Sequence, residues 1–198
     1  MSHRLAAATL VAVLFSVFAL VPAQAKPLSP NSATLKLGGY FPQHSDLDGF
    51  DSGFNGEISL GHLVAPGFGF ELGVGYFETK GESNEPGINA SGEFKVIPLT
   101  ISLKGQTFFE QFEPYVEAGI GVYFVEAEIS GIGPFGPVSE SDNDAPVGFH
   151  LGLGANYNVT RQVFVGLEGK YLWLKSDVFN TDARLDGITL TGNVGFRF

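Results

Sequence analysis

From Val147 to Val159 the chain alternates without a break. Val147, Phe149, Leu151, Leu153, Ala155, Tyr157 and Val159 share one parity, and Gly148, His150, Gly152, Gly154, Asn156 and Asn158 share the other. A period of two marks a strand with two unlike faces. The pattern returns at the C-terminal end, with Ile188, Leu190, Val194, Phe196 and Phe198 against Thr189, Thr191, Asn193, Gly195 and Arg197. It returns again with Phe70, Leu72, Val74 and Tyr76 against Glu71, Gly73 and Gly75. Eight such segments can be read: 33–41, 54–64, 68–79, 94–104, 112–127, 147–159, 163–174 and 188–198. None carries a capped 3.6-residue stripe.

The face opposite the large apolar residues decides the solvent. It holds mostly Gly, Asn, Thr and lone charges. Glycine in a water-facing strand costs entropy and covers nothing. In the crowded interior of a narrow barrel it makes room for long neighbours, and eight strands leave an interior just wide enough for side chains to fill. The apolar face then meets lipid. A soluble glycine-rich sandwich is the competing reading. The 27 glycines and 19 phenylalanines suit the first.

The first residues read as a leader. Arg4 precedes an apolar run from Leu5 to Pro22, and Ala23-Gln24-Ala25 forms an A-x-A site. This pattern predicts a cleaved signal peptide over residues 1–25 and a barrel domain over 26–198. Past it, no apolar run approaches the length a membrane helix needs. Losing Arg4 takes the formal charge from −10 to −11. Such an acidic chain is a poor partner for nucleic acid, whose phosphates need Lys and Arg. With no cysteine, an exported chain has no disulfide framework.

The connections alternate in length. Ala65-Pro66-Gly67, 105–111 and Thr160-Arg161-Gln162 are short, whereas "PQHSDLDGFDSG", "KGESNEPGINASG" and "SGIGPFGPVSESDNDA" are long and polar. Short turns at one rim and long loops at the other are the outer-membrane pattern, with both termini expected in the periplasm. By phase, Lys36, Glu57, Glu71, Lys104, Glu117, Glu168, Lys170 and Arg197 face the lumen. They read as a salt-bridged plug, in which the cost of desolvation offsets the attraction, or else as a path for ions or protons. Tyr76, Phe124, Tyr171 and Trp173 fall toward the long-loop rim, and Tyr157, Phe196 and Phe198 toward the short-turn rim, as girdle aromatics should. Pro98 cannot donate to a ladder and predicts a bulge or irregularity.

The stretches "VIPLTISLKG", "EPYVEAGIGVYF" and "GFHLGLGANYNVTRQVFVGLEGKYLWLK", with the terminal aromatic, resemble the eight-stranded outer-membrane β-barrel proteins that include the OmpA membrane domain, OmpX and OmpW. The resemblance implies an all-β, eight-stranded antiparallel up-and-down transmembrane barrel in the bacterial outer membrane. It implies lipid and lipopolysaccharide as surroundings. It also implies insertion by the barrel assembly machinery, with Phe196 and Phe198 matching the end of the C-terminal assembly signal.

Candidate chemistry is sparse. Asp46, Asp48 and Asp51 have calcium-loop spacing only, without the further ligands and closing Glu. Glu140, Asp142 and Asp144 form a second acidic run. An acidic outer rim would meet lipopolysaccharide phosphates through bridging divalent cations. A lipid A-modifying enzyme would need His, Ser and an acid at the rim. His150 faces the lumen with Glu168 on the adjacent strand, and no matching Ser is evident. The expectation is a non-enzymatic, cofactor-free envelope protein, structural or in contact with a host or surface ligand through its acidic loops. The alternative is an OmpW-like channel for small hydrophobic molecules, which needs an apolar lumen near the outer rim.

Overall fold

The computed structural model describes residues 29–43, 47, 49–85, 88–133, 136–178 and 181–198. The predicted leader, Asp46, Asp48 and His44 lie outside these residues. The strands are β1 (Asn31–Pro42), β2 (Gly53–Ala65), β3 (Phe68–Glu85), β4 (Ile88–Gln106), β5 (Phe112–Gly133), β6 (Gly136–Asp144), β7 (Val147–Asn158), β8 (Val163–Trp173), β9 (Lys175–Val178), β10 (Thr181–Arg184) and β11 (Gly187–Arg197). Every pairing is antiparallel. The order β1-β2-β3-β4-β5-β7-β8-β11 returns to β1, through Ser32↔Arg197 to Pro42↔Gly187, and closes an eight-stranded barrel.

Side chains sort by parity. Leu151, Leu153, Leu167 and Phe196 point outward with 48, 67, 72 and 44% of their surface exposed, whereas Glu71 and Glu168 point inward with 4% each. A belt of bare Leu, Ile, Val and Phe this continuous has no counterpart on a water-soluble surface. Hydrocarbon satisfies it, and closure of the sheet removes the free strand edges that lipid cannot solvate.

The short turns come together at one rim. Gly67 takes φ +77°, which a side chain would strain. Thr160 Oγ1 accepts the Val163 N–H at 2.9 Å to tie the β7–β8 turn. The β2–β3 register shifts between Leu63 and Ala65. Pro98 makes no bulge: the β3–β4 register is the same at Val74↔Leu99 and Phe77↔Val96, but the ladder is interrupted between them. On its other side Pro98 stays opposite Tyr123. The missing N–H thus interrupts the ladder without displacing the strand.

The long connections differ from the sequence reading. Much of "KGESNEPGINASG" continues the β3–β4 ladder to Glu85↔Ile88. The β5–β6 ladder extends to Gly133↔Gly136. Each of these hairpins is templated by a long strand that already runs through the membrane, so local propensity counts for little. Ala145 and Pro146 separate β6 from β7, yet both strands keep one register along β5.

Candidate functional site

The lumen is filled in tiers. At the short-turn end, the Arg197 guanidinium makes a close ion pair with Glu113, hydrogen-bonds Asn158 and stacks over the Phe164 ring at 4.6 Å. Glu113 shares the parity of Glu117, and that phase was the signal by which sequence reading should have found it.

Above this lies a charge network. Lys36 Nζ sits 3.1 Å from Glu57, 2.7 Å from Glu71 and 2.9 Å from Glu168. Lys170 Nζ lies 3.2 Å from Glu57, 3.2 Å from Glu117 and 3.5 Å from Glu168. Lys104 contacts Glu71 at 3.2 Å and lies 3.8 Å above the Tyr115 ring centre. Tyr115 donates to Glu168 at 2.8 Å and accepts from Asn193 at 3.2 Å. Seven of the eight sequence-predicted lumen charges therefore meet here, while Arg197 stands apart with Glu113. The cations Lys36, Lys104 and Lys170 face the carboxylates Glu57, Glu71, Glu117 and Glu168. Glu117 receives no hydrogen bond among the described residues and is held by its ion-pair contact alone. Glycines give the space: a Cβ on Gly152 would strike Glu117, and one on Gly195 would enter the Phe164 ring.

A Ser does meet His150. Ser102 Oγ lies 2.7 Å from His150 Nε2, and Tyr123 OH lies 3.5 Å from Nδ1. Glu168 is directed to Lys36 and Tyr115 instead. Cross-strand register puts His150 opposite Leu172 and Gly154 opposite Glu168, four residues away along β8, so the sequence pairing of His150 with Glu168 is corrected. Ser102 was invisible because an isolated serine on an alternating strand belongs to no motif. A cavity of about 30 Å³ lies beside this pair, lined by Pro98, Thr100, Tyr123, His150, Lys170 and Leu172 among others. Its size suits a few waters.

The outer tier is apolar. Tyr40, Phe77, Val96, Tyr123, Val125 and Leu172 occupy lumen parity, and Leu47, Leu174 and Leu185 cap them from the connections. Tyr40 and Phe77 stack with centroids 4.6 Å apart, and Tyr40 donates to the Leu185 carbonyl at 2.9 Å. An apolar outer lumen therefore exists, which sequence phase had given little sign of.

Outside, Tyr157, Phe124 and Trp173 are exposed, Tyr76 and Tyr171 are half-buried, and Trp173 packs on Tyr171 at 4.6 Å. Phe196 and Phe198 stack outward at 6.5 Å. Beyond the apolar belt, Lys80 pairs with Glu93 at 3.1 Å and Lys95 with Glu128 at 3.2 Å. Asp144 accepts from Asp177 N, Ser176 Oγ and Ala145 N at 2.7, 2.8 and 2.8 Å. These donors, the Asp177 N–H first, hold its carboxyl below the usual range. Asp51 is exposed. Among the described residues no group of three or more His, Asp or Glu side chains is arranged to hold a metal.

Three solved structures share this architecture. Neisserial surface protein A is 19% identical, with 85% of this chain and 97% of that chain covered and a TM-score of 0.59. OprG from Pseudomonas aeruginosa is 16% identical over 86% of this chain and 97% of its own, TM-score 0.60. Ail, the attachment invasion locus protein of Yersinia pestis, is 16% identical over 86% and 99%, TM-score 0.54, and has also been solved with the heparin analogue sucrose octasulfate. No curated relative matches the chain by sequence. At these identities the structures speak for the fold alone. The outer membrane protein beta-barrel domain matches residues 9–198. The chain therefore belongs to the outer membrane protein beta-barrel family and is a transmembrane protein of the bacterial outer membrane.

Proposed function

We propose that this is a non-enzymatic envelope protein that acts through its outward-facing hairpins. The observation that carries this reading is the filled lumen. Charge closes the middle and apolar side chains close the outer end, so the chemistry available to a partner lies outside. There, Glu78, Glu93, Glu126, Glu128, Glu140, Asp142, Asp144 and Asp177 outnumber Lys80, Lys95, Lys175 and Arg184. A surface of that sign repels sulfated polyanions of the kind Ail was solved with, and attracts basic polypeptides or cation-bridged phosphates. Lipopolysaccharide meets this rim through divalent cations. Phe196 and Phe198 present the aromatic signal to the assembly machinery. Residues 1–25 serve as the cleaved leader.

The Ser102–His150 pair does not change the reading. Both side chains are buried inside the wall, and His150 Nδ1 faces a tyrosine hydroxyl rather than a carboxylate. Lipid A composition is expected to be the same with Ser102→Ala as without it.

A second reading, passage of small hydrophobic molecules, is favoured by one specific observation. The ladder interruption at Pro98 lies beside the lumen cavity, which Pro98 lines together with Phe77 and Leu172 of the apolar tier. Vesicle-reconstituted barrel separates the two. The first reading expects no stepwise conductance, no uptake of small apolar solutes, and salt-sensitive binding to polylysine-coated but not heparin-coated surfaces. Uptake lost on changing Pro98 would install the second reading in its place.

A further inference from the structure

We propose that the outer faces of β3, β4 and β5 form a docking surface for the headgroup of lipopolysaccharide, with Lys80 and Lys95 set against its lipid A phosphates. This rests on the reading that the outer rim meets lipopolysaccharide, and it says on which strands and through which groups.

The three strands stay paired well beyond the lipid-facing belt, so their outward side chains stand in rows. The belt ends on these strands with Val74, Leu99, Ile97 and Phe124, all exposed, and with Tyr76. One outward position further, Glu78 lies opposite Lys95, and Lys95 opposite Glu126. The next row is Lys80, Glu93 and Glu128, in the same register. Lys80 Nζ also lies 4.0 Å from Glu78, and Lys95 Nζ 3.8 Å from Glu93, so ion pairs tie the two rows together. Above them Ser91 stands opposite Ser130, with their hydroxyls 3.2 Å apart. Aliphatic, then charged, then hydroxyl is also the order of chemistry along lipopolysaccharide, from acyl chains through phosphorylated glucosamines to sugars. A lipid whose chains fill the belt brings its phosphates to the charged rows and its sugars to the serines.

The charged rows suit phosphate. An ammonium has three donors, and Lys80 is 60% exposed although it touches two carboxylates. Bonds from such a group to phosphate are charge-assisted, and beside hydrocarbon they are screened less than in open water. Four carboxylates against two ammoniums leave an excess of negative charge, so phosphate arrives with divalent counter-ions. Among the described residues no three acids converge on one ion. The ions therefore bridge a phosphate to a single carboxylate and do not sit in a cage made by the protein.

The rest of the wall ends differently. The outermost outward side chains of β2, β1, β11, β8 and β7 are Phe54, Phe41, Ile188, Trp173 and Val147. Lys175 and Asp177 follow above Trp173, but on β9, in a separate two-stranded sheet. In-register charged rows continuous with the belt belong to β3, β4 and β5, so the headgroup docks on one sector of the rim.

Folded barrel in a zwitterionic detergent is titrated with lipid A bearing both phosphates, and with lipid A from which they have been removed. Magnesium is present or chelated, and bound lipid per barrel is counted by mass. The phosphorylated form is expected to bind about tenfold more tightly with magnesium, the scale of one charge-assisted contact. Lys80→Glu with Lys95→Glu should abolish that preference, and Lys80→Arg with Lys95→Arg should keep it. Glu126→Gln with Glu128→Gln should remove the magnesium dependence alone. Arg161→Glu, exposed at the opposite rim, should change nothing. Where charge reversal yields no barrel with heat-dependent gel mobility, Lys80→Ala with Lys95→Ala takes its place. An undiminished preference in the folded double variant would overturn the docking surface while leaving the rim's contact with lipopolysaccharide in place. Equal affinity for phosphatidylglycerol would overturn the assignment to lipid A. No binding of phosphorylated lipid A by the unaltered barrel would overturn the underlying reading as well.

Discussion

At Lys36 the lumen is filled by charge; at Tyr40, about 13 Å further along the same strand, it is filled by rings and aliphatic side chains. Both levels face the same axis from the same strands. They differ in what each element must satisfy. In the middle tier one ammonium is shared by Glu57, Glu71 and Glu168, so removing it leaves four buried carboxylates with only Lys104 and Lys170 to share. In the outer tier each side chain loses only its own contacts. The charged tier is therefore the brittle one, and the apolar tier the tolerant one.

Lys36→Met tests this hardest. It should cost about 3–5 kcal/mol, the usual loss when one member of a buried ionic set is removed, read as a lowered urea midpoint of the reconstituted barrel. A loss under 1 kcal/mol would break the comparison. Next, Gly195→Ala places a methyl in the Phe164 ring and should cost about 1–3 kcal/mol. Combining it with Phe164→Leu should recover part of that loss, which would show that space and not backbone freedom sets the requirement. In the outer tier, Val96→Ala should cost about 1.5 kcal/mol, and Val96→Ile should be nearly silent. The smallest effect belongs outside, where Lys80→Ala should change stability by no more than about 0.5 kcal/mol, because Lys80 is exposed and its pair with Glu93 is screened.

The sequence carried most of the wall. Alternation from Val147 to Asn158 is enough to place every side chain of β7, because strand parity is absolute once one face is assigned. It carried much of the charge network for the same reason. It failed where parity was read through chemistry. Tyr40, Phe77, Tyr123 and Leu172 lie on lumen parity, but a large apolar residue in a lipid-spanning strand was expected to face outward. Their position toward the long-loop ends of the segments read as 33–41, 68–79, 112–127 and 163–174 was the available signal: above the lipid, the lumen must close against water, and apolar packing does that. The hairpin extensions were missed because acids, Gly and Pro read as loop. The register inherited from the wall overrides that preference. Ser102 left no trace, since its meeting with His150 depends on two strands separated by a third.

The unbroken register of β6 and β7 along β5 has a consequence for how this hairpin can change length. A strand has only two sides, so one residue inserted or deleted at Ala145–Pro146 would turn Asp142 and Asp144 outward and aim Ser141 and Asn143 at the axis. Tolerated changes there should come in even steps, and an odd one should detach β6 from its neighbour hairpin while the membrane-embedded portion stays intact.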